Sequence, residues 1–80
     1  ANELLDISEI KASFVLTEYN GRIYVSARSI DEVNVQIIME RMGGGGHANI
    51  AAAQFTNTTK EEVKEQLVNL LEEMYKEGDI

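Results

Sequence analysis

Between Ala12 and Arg28 apolar and polar positions alternate with a period of two, and the alternation is interrupted once, at Asn20-Gly21. A period of two puts successive side chains on opposite faces of a strand. Asn-Gly between two such runs is the strongest short-range hairpin signal, because both turn positions need a positive φ. The pattern predicts strands over 12–19 and 22–28 joined by a two-residue turn. That turn fixes the register, with Tyr19 opposite Arg22, Leu16 opposite Val25 and Phe14 opposite Ala27. Phe14, Leu16, Ile23, Val25 and Ala27 then share a core face, while Ser13, Val15, Thr17, Tyr24, Ser26 and Arg28 share the other.

After a connection over Ser29 to Val33 the period becomes helical: Val35, Ile38, Met39 and Met42 fall at i, i+3, i+4 and i+7 behind Asn34, an N-cap residue. This helix ends at a glycine run, with Arg41 in its last turn, where a cation suits the dipole. A second helix opens on Thr59-Lys60-Glu61-Glu62, a capping box, and carries Val63, Leu67, Leu70, Leu71 and Met74 at helical spacing up to a C′ glycine, Gly78. Asn49 to Thr56 is alanine-rich, which suits a helix. It lacks a cap, however, and ends on Phe55-Thr56 before the turn residues Asn57-Thr58, so a strand is preferred. Ala1 to Asp6, with its pair Leu4-Leu5, reads as the tail of a short N-terminal helix. The expected fold is α/β in the α+β two-layer form: a small, mainly antiparallel sheet with a β-hairpin and a further strand, packed by two main helices plus that short helix.

Eighty residues make one small domain. The absence of cysteine excludes disulfides and thiolate metal sites and suits a reducing compartment. No apolar run approaches the ~18 residues of a membrane span. A net charge of −7 argues against a standalone nucleic-acid binder, whose footprint is a basic face. The acid is unevenly placed: Glu61, Glu62, Glu65, Glu72, Glu73, Glu77 and Asp79 lie in the last 22 residues, whereas Arg22, Arg28 and Arg41 lie mid-chain. A locally positive pocket is compatible with that distribution. The chain starts at Ala1 with no initiator methionine, so it is expected to be a piece of a longer protein.

The mid-chain arginines lie in the same part of the chain as its most specific stretch, Gly43-Gly44-Gly45-Gly46-His47. Consecutive glycines are entropically costly. One reading is a helix C-cap with a floppy continuation. The other is a ligand loop, whose bare backbone approaches an anion and offers it successive N–H groups, with His47 adding a side-chain donor. The run passes at once into Ala48-Asn49-Ile50-Ala51-Ala52-Ala53 rather than into a Ser/Gly linker, which favours the loop as a seat for phosphate. Gly43 to Ala48 formally fits G-x-G-x-x-[GA], but it follows a helix where a dinucleotide fingerprint follows a strand, and no Gly-Lys-[Ser/Thr] makes a P-loop. With one histidine and no carboxylate at ligand spacing from it, neither a metal site nor a nucleophile–base set is expected in the chain.

Ser26-Ala27-Arg28-Ser29, then Asn34-Val35-Gln36, then Arg41-Met42-Gly43-Gly44-Gly45-Gly46-His47 with Ala51-Ala52-Ala53 behind it, resembles the DHH-associated domain (DHHA, first type) of the DHH/DHHA phosphoesterases. The resemblance covers nearly all of residues 12–77. Around Ser26 to Gln54 it is most similar to the membrane-anchored GdpP (YybT) branch of cyclic-di-AMP phosphodiesterases. The resemblance implies a division of labour. A preceding DHH domain, reached through residues 1–11, would hold two manganese ions that activate water against a phosphodiester, while the DHHA domain holds the nucleotide. It further implies that Gly43, Gly44, Gly45 and Gly46 present backbone N–H groups to a non-scissile phosphate, that His47 donates to phosphate, and that Arg28 and Ser29 contact phosphate or ribose. Catalytic residues, metal ligands and cofactors are expected in the DHH domain and none within residues 1–80, so the fragment alone would be inactive. The implied partners are a cyclic dinucleotide or short oligonucleotide, the intramolecular DHH domain and a homodimer mate. The parent protein would be membrane-anchored, with this domain on the cytoplasmic side and not touching the membrane. One departure stands out: many exonuclease-like relatives have two residues between the histidine and an Ala-Ala-Gly, whereas here Ala48, Asn49 and Ile50 precede Ala51-Ala52-Ala53. Two other functions fit the same residues, an oligoribonuclease or single-strand exonuclease domain and a non-catalytic regulatory or protein-binding module.

Overall fold

The computed structural model describes residues 2–8, 10–30 and 33–78. Its elements run β1 (Asn2–Ile7), β2 (Ala12–Tyr19), β3 (Arg22–Ser29), α1 (Val35–Arg41), β4 (Gly45–His47), β5 (Ile50–Thr56) and α2 (Lys60–Glu77). The five strands form one sheet in the order β1-β2-β3-β5-β4, with every neighbouring pair antiparallel.

The β2–β3 hairpin has the register its turn demands, pairing Tyr19 with Arg22, Leu16 with Val25 and Phe14 with Ala27. Asn20 and Gly21 adopt φ of 51° and 74°, the two positive values of the turn type whose twist matches the strands. β5 continues the same alternation, placing Ala53 beside Val25 and Ala51 beside Ala27. Phe14, Leu16, Ile23 and Val25 are fully buried beneath Val35, Ile38 and Met39 of α1 and Val63, Leu67 and Met74 of α2. Both helices therefore cover one face of the sheet, and the opposite face is open. The helix ends follow from their caps. Asn34 Oδ1 accepts from the backbone N–H groups of Gln36 (3.0 Å) and Ile37 (3.3 Å), and Thr59 Oγ1 accepts from the Glu62 N–H at 3.2 Å. Gly78 closes α2 at a left-handed φ of 81°.

Two expectations are corrected. Residues 2–7 form an edge strand rather than a short N-terminal helix; Ala1 lies outside the described residues. A lone turn or two of helix gains few hydrogen bonds for the dihedrals it fixes, whereas pairing six residues with β2 uses an otherwise open strand edge and turns Leu5 and Ile7 toward the core. The glycine stretch, expected as a loop, is divided between a helix cap and strand β4.

Candidate phosphate-binding site

The open face of the sheet is where the sequence-marked residues meet. Reading across the strands, His47 of β4 pairs with Ile50 of β5, Ile50 with Arg28 of β3, and Arg28 with Ser13 of β2. These residues belong to one cross-strand row. With neighbouring strands 4.7–4.9 Å apart, the Cα atoms of Arg28 and His47 lie about 10 Å from one another across Ile50. All three side chains are exposed. The imidazole and the guanidinium thus rise on the same side of the sheet, spaced to bracket one anion.

The next row on this face is Gly45, Ala52, Ser26, a floor of small side chains. Together with Arg28, His47 and Ile50 it lines a cavity of about 290 Å³. The turn that positions His47 is pinned from both sides: the Ala48 carbonyl accepts from the Val35 N–H at 2.9 Å, and the Asn49 carbonyl accepts from the Ser29 N–H at 3.1 Å. The second of these ties the end of β3, immediately beside Arg28, to the residues that follow the imidazole, at a net worth of about 1 kcal/mol per bond.

The four glycines have different reasons to be there. Gly43 takes φ +90° and Gly44 follows it, and their N–H groups donate to the carbonyls of Glu40 (3.1 Å) and Met39 (2.8 Å). This is the paired hydrogen bonding that ends a helix on a left-handed residue, so these amides are occupied by the α1 cap rather than aimed at the cavity. A Cβ on Gly44 would stand 2.1 Å from the Ala52 carbonyl oxygen, and one on Gly46 would stand 2.5 Å from the Ala51 Cα, with Gly46 at φ +147°. Both glycines let β4 press against β5. Gly45 is different, since a Cβ there would meet nothing within 4 Å. Packing does not require its bareness, and it lies on the floor of the cavity.

Ser29 is the expected site residue that the structure does not bring to this row. It is the next residue after Arg28 on β3, so the pleat turns it to the helix-covered side, where its Oγ is buried with no hydrogen-bond partner. Arg41 is directed elsewhere as well, 3.8 Å from Glu77 at the end of α2. Ser26 and Ala52 were marked in the sequence only as motif residues and Ile50 only as a spacer, none of them as part of the site lining. Residues 50–53 are uniformly apolar and show no alternation, so which set faces Arg28 follows from the β3–β5 register, and no turn links those two strands directly. The acidic side chains of α2 belong to the layer on the far side of the sheet, whereas the exposed Asp6 of β1 continues the row beyond Ser13, two strands from Arg28 on the open face. Among the described residues, no three His, Cys, Asp or Glu side chains gather as a metal site, and no helix is long and apolar enough to cross a membrane.

A five-stranded antiparallel sheet, covered by helices on one face and carrying an arginine and a histidine above a glycine edge strand on the other, defines the chain as a small α/β module with a cationic trough. Residues 1–77 match the DHHA1 domain, and the chain belongs to that family. It is 44% identical over 79 residues to the cyclic-di-AMP phosphodiesterase GdpP of Geobacillus thermodenitrificans, covering 98% of this chain and 12% of that protein. It is 39% identical over 77 residues to the cyclic-di-AMP phosphodiesterase PdeA of Listeria monocytogenes, covering 95% and 12%. An A-adding tRNA nucleotidyltransferase of Aquifex aeolicus is 38% identical over 74 residues, covering 91% of this chain and 9% of that protein. The chain therefore spans about an eighth of the length of the first two of these relatives.

Proposed function

We propose that this domain holds the non-scissile phosphate of a cyclic dinucleotide within a longer manganese-dependent phosphodiesterase that opens cyclic-di-AMP to a linear dinucleotide. The observation that carries the reading is the single row with Arg28 and His47 on one face, about 10 Å apart, beside Gly45, whose bareness packing does not require. Arg28 supplies a fixed fork of donors suited to phosphate oxygens. His47 supplies one donor when neutral and two when protonated. The whole-chain similarity to GdpP and PdeA supports this substrate class.

In this reading the metal ions belong to a separate DHH domain of a membrane-anchored protein, with this domain on the cytoplasmic side; the ions would supply the activated water. The residues of this chain bind and orient the substrate by holding one phosphate while the other meets that water. In the full-length protein, Arg28→Ala and His47→Ala each remove a charge-assisted contact worth roughly 1.5–3 kcal/mol, so turnover of the cyclic dinucleotide is expected to fall about tenfold to a hundredfold. Wild-type turnover in both variants would refute the proposal. A second reading, an oligonucleotide-directed domain, is favoured by the similarity to a tRNA-directed enzyme. Comparing turnover of the cyclic dinucleotide with that of short linear RNA separates the two.

A further inference from the structure

We infer, resting on the phosphate assignment above, that the trough has a second compartment that seats a purine base, adenine in preference to guanine, against Tyr24 and Gln54. A cavity of about 320 Å³ is lined by Tyr24, Ser26, Gly43, Gly44, Ala52 and Gln54. It shares Ser26 and Ala52 with the compartment below Arg28 and His47, so the two form one trough with a floor of small residues. Tyr24 and Gln54 face one another across β3 and β5. They lie four residues along the strands from Arg28 and Ile50, about 13 Å at strand spacing.

The chemistry changes along that length. None of the side chains lining the Tyr24 end is charged. Tyr24 is half-buried, so its ring is held as a surface on which a base can stack. The exposed Gln54 carboxamide offers a donor and an acceptor side by side, the pair that matches N6 and N7 of adenine. Gly43 and Gly44 close α1 here with their N–H groups taken by the Glu40 and Met39 carbonyls, so this end offers a phosphate no free backbone donor from them. The cations stand at the other end of the trough. An arginine- and histidine-lined end and a flat, uncharged end joined by a bare floor complement the polarity of a nucleotide.

The test is calorimetric titration of the full-length protein with AMP, GMP and ribose 5-phosphate, the last being a ligand with the phosphate and no base. The wild type is expected to bind AMP about tenfold tighter than ribose 5-phosphate, within the range of a stacked base. Tyr24→Leu should erase most of that advantage without altering ribose 5-phosphate, Tyr24→Phe should keep it, and Gln54→Leu should bring AMP and GMP to equal affinity. Arg28→Ala should weaken all three ligands alike. Equal affinity of the wild type for AMP and ribose 5-phosphate, or a Gln54→Leu protein that still prefers AMP, overturns the base compartment while leaving the phosphate site standing. Indifference of all three ligands to Arg28→Ala overturns the phosphate reading itself.

Discussion

Alanine placed in turn at Gly44, Gly45 and Gly46 separates glycine kept for packing from glycine kept for a ligand. At Gly44 the new methyl would fall 2.1 Å from the Ala52 carbonyl oxygen and 2.7 Å from the Ala53 Cα; at Gly46 it would fall 2.5 Å from the Ala51 Cα and 2.7 Å from the Ile50 carbonyl oxygen. The obstructing atoms are mostly backbone, so relief requires β4 to move away from β5. Overpacking of this kind costs about 1–3 kcal/mol, and at Gly46 the φ of +147° adds strain for any residue with a Cβ. For a domain of this size 1 kcal/mol shifts Tm by about 4–8 °C. Gly44→Ala and Gly46→Ala are therefore expected to melt roughly 5–20 °C lower by circular dichroism. Gly45→Ala meets nothing and reduces the freedom of the unfolded chain, so its Tm should hold or rise by a few degrees. Its methyl nevertheless stands on the floor of the trough, and AMP affinity of the full-length protein should fall. Equal melting of all three variants would refute the packing argument. Unchanged AMP binding by a well-folded Gly45→Ala protein would remove the ligand as the reason for that glycine.

Two further expectations concern the frame. Asn34→Ala leaves the N–H groups of Gln36 and Ile37 without their shared acceptor, so Tm should drop by the equivalent of about 1 kcal/mol, and Asn34→Asp should restore most of it. Glu3 receives a hydrogen bond from Lys64 across the sheet–helix boundary, which holds its carboxyl below the ordinary value of 4.5. A depressed carboxylate contributes stability above its unfolded pKa and loses it as the pH falls through the folded value. The stability gap between wild type and Glu3→Gln, followed by urea unfolding, should thus be open at neutral pH and close as the pH falls through the lowered folded pKa of Glu3; a gap that widens in acid would refute the pairing.

How much of this was legible in the sequence depends on how local each cause is. The β2–β3 hairpin and both main helices announce themselves through a turn dipeptide, two caps and an unbroken period, all of which act within a few residues. β1 was missed because Leu4 and Leu5 are adjacent, which conceals the alternation of Glu3, Leu5 and Ile7, and because its cause is the open edge of β2 rather than anything in residues 2–7. Strand β4 was missed for a related reason. Glycine has no strand propensity of its own, and β4 forms because Gly44 and Gly46 can lie directly against Ala53 and Ala51 of β5, an approach that no Cβ would allow. For the site, Arg28 and His47 were visible as residue types, but their shared face follows from the β3–β5–β4 register. Ser29, next to Arg28, was read as a contact on the same ligand, although the pleat sends consecutive residues to opposite faces.

That register permits one more perturbation aimed at the space between the cations. Ile50 is 50% exposed and lies between Arg28 and His47 in the row. Ile50→Glu would place a carboxylate one strand, about 5 Å, from Arg28 on one side and His47 on the other, where a phosphate is proposed to bind. At that distance the pair with the Arg28 guanidinium is worth about 1–3 kcal/mol for an effective dielectric between surface and bulk values. The new carboxylate takes up the attraction that an incoming phosphate would use and adds its own repulsion. At so open a position the change from isoleucine costs the sheet little, of order 1 kcal/mol at most, and Ile50→Thr, which keeps the branched side chain, serves as the uncharged control. Ribose 5-phosphate affinity should fall at least tenfold in Ile50→Glu and stay near wild type in Ile50→Thr, with the difference shrinking as salt is raised because all the charges involved are exposed. If the two variants bind ribose 5-phosphate equally, no anion lies between Arg28 and His47, and their common row is a consequence of strand pairing alone.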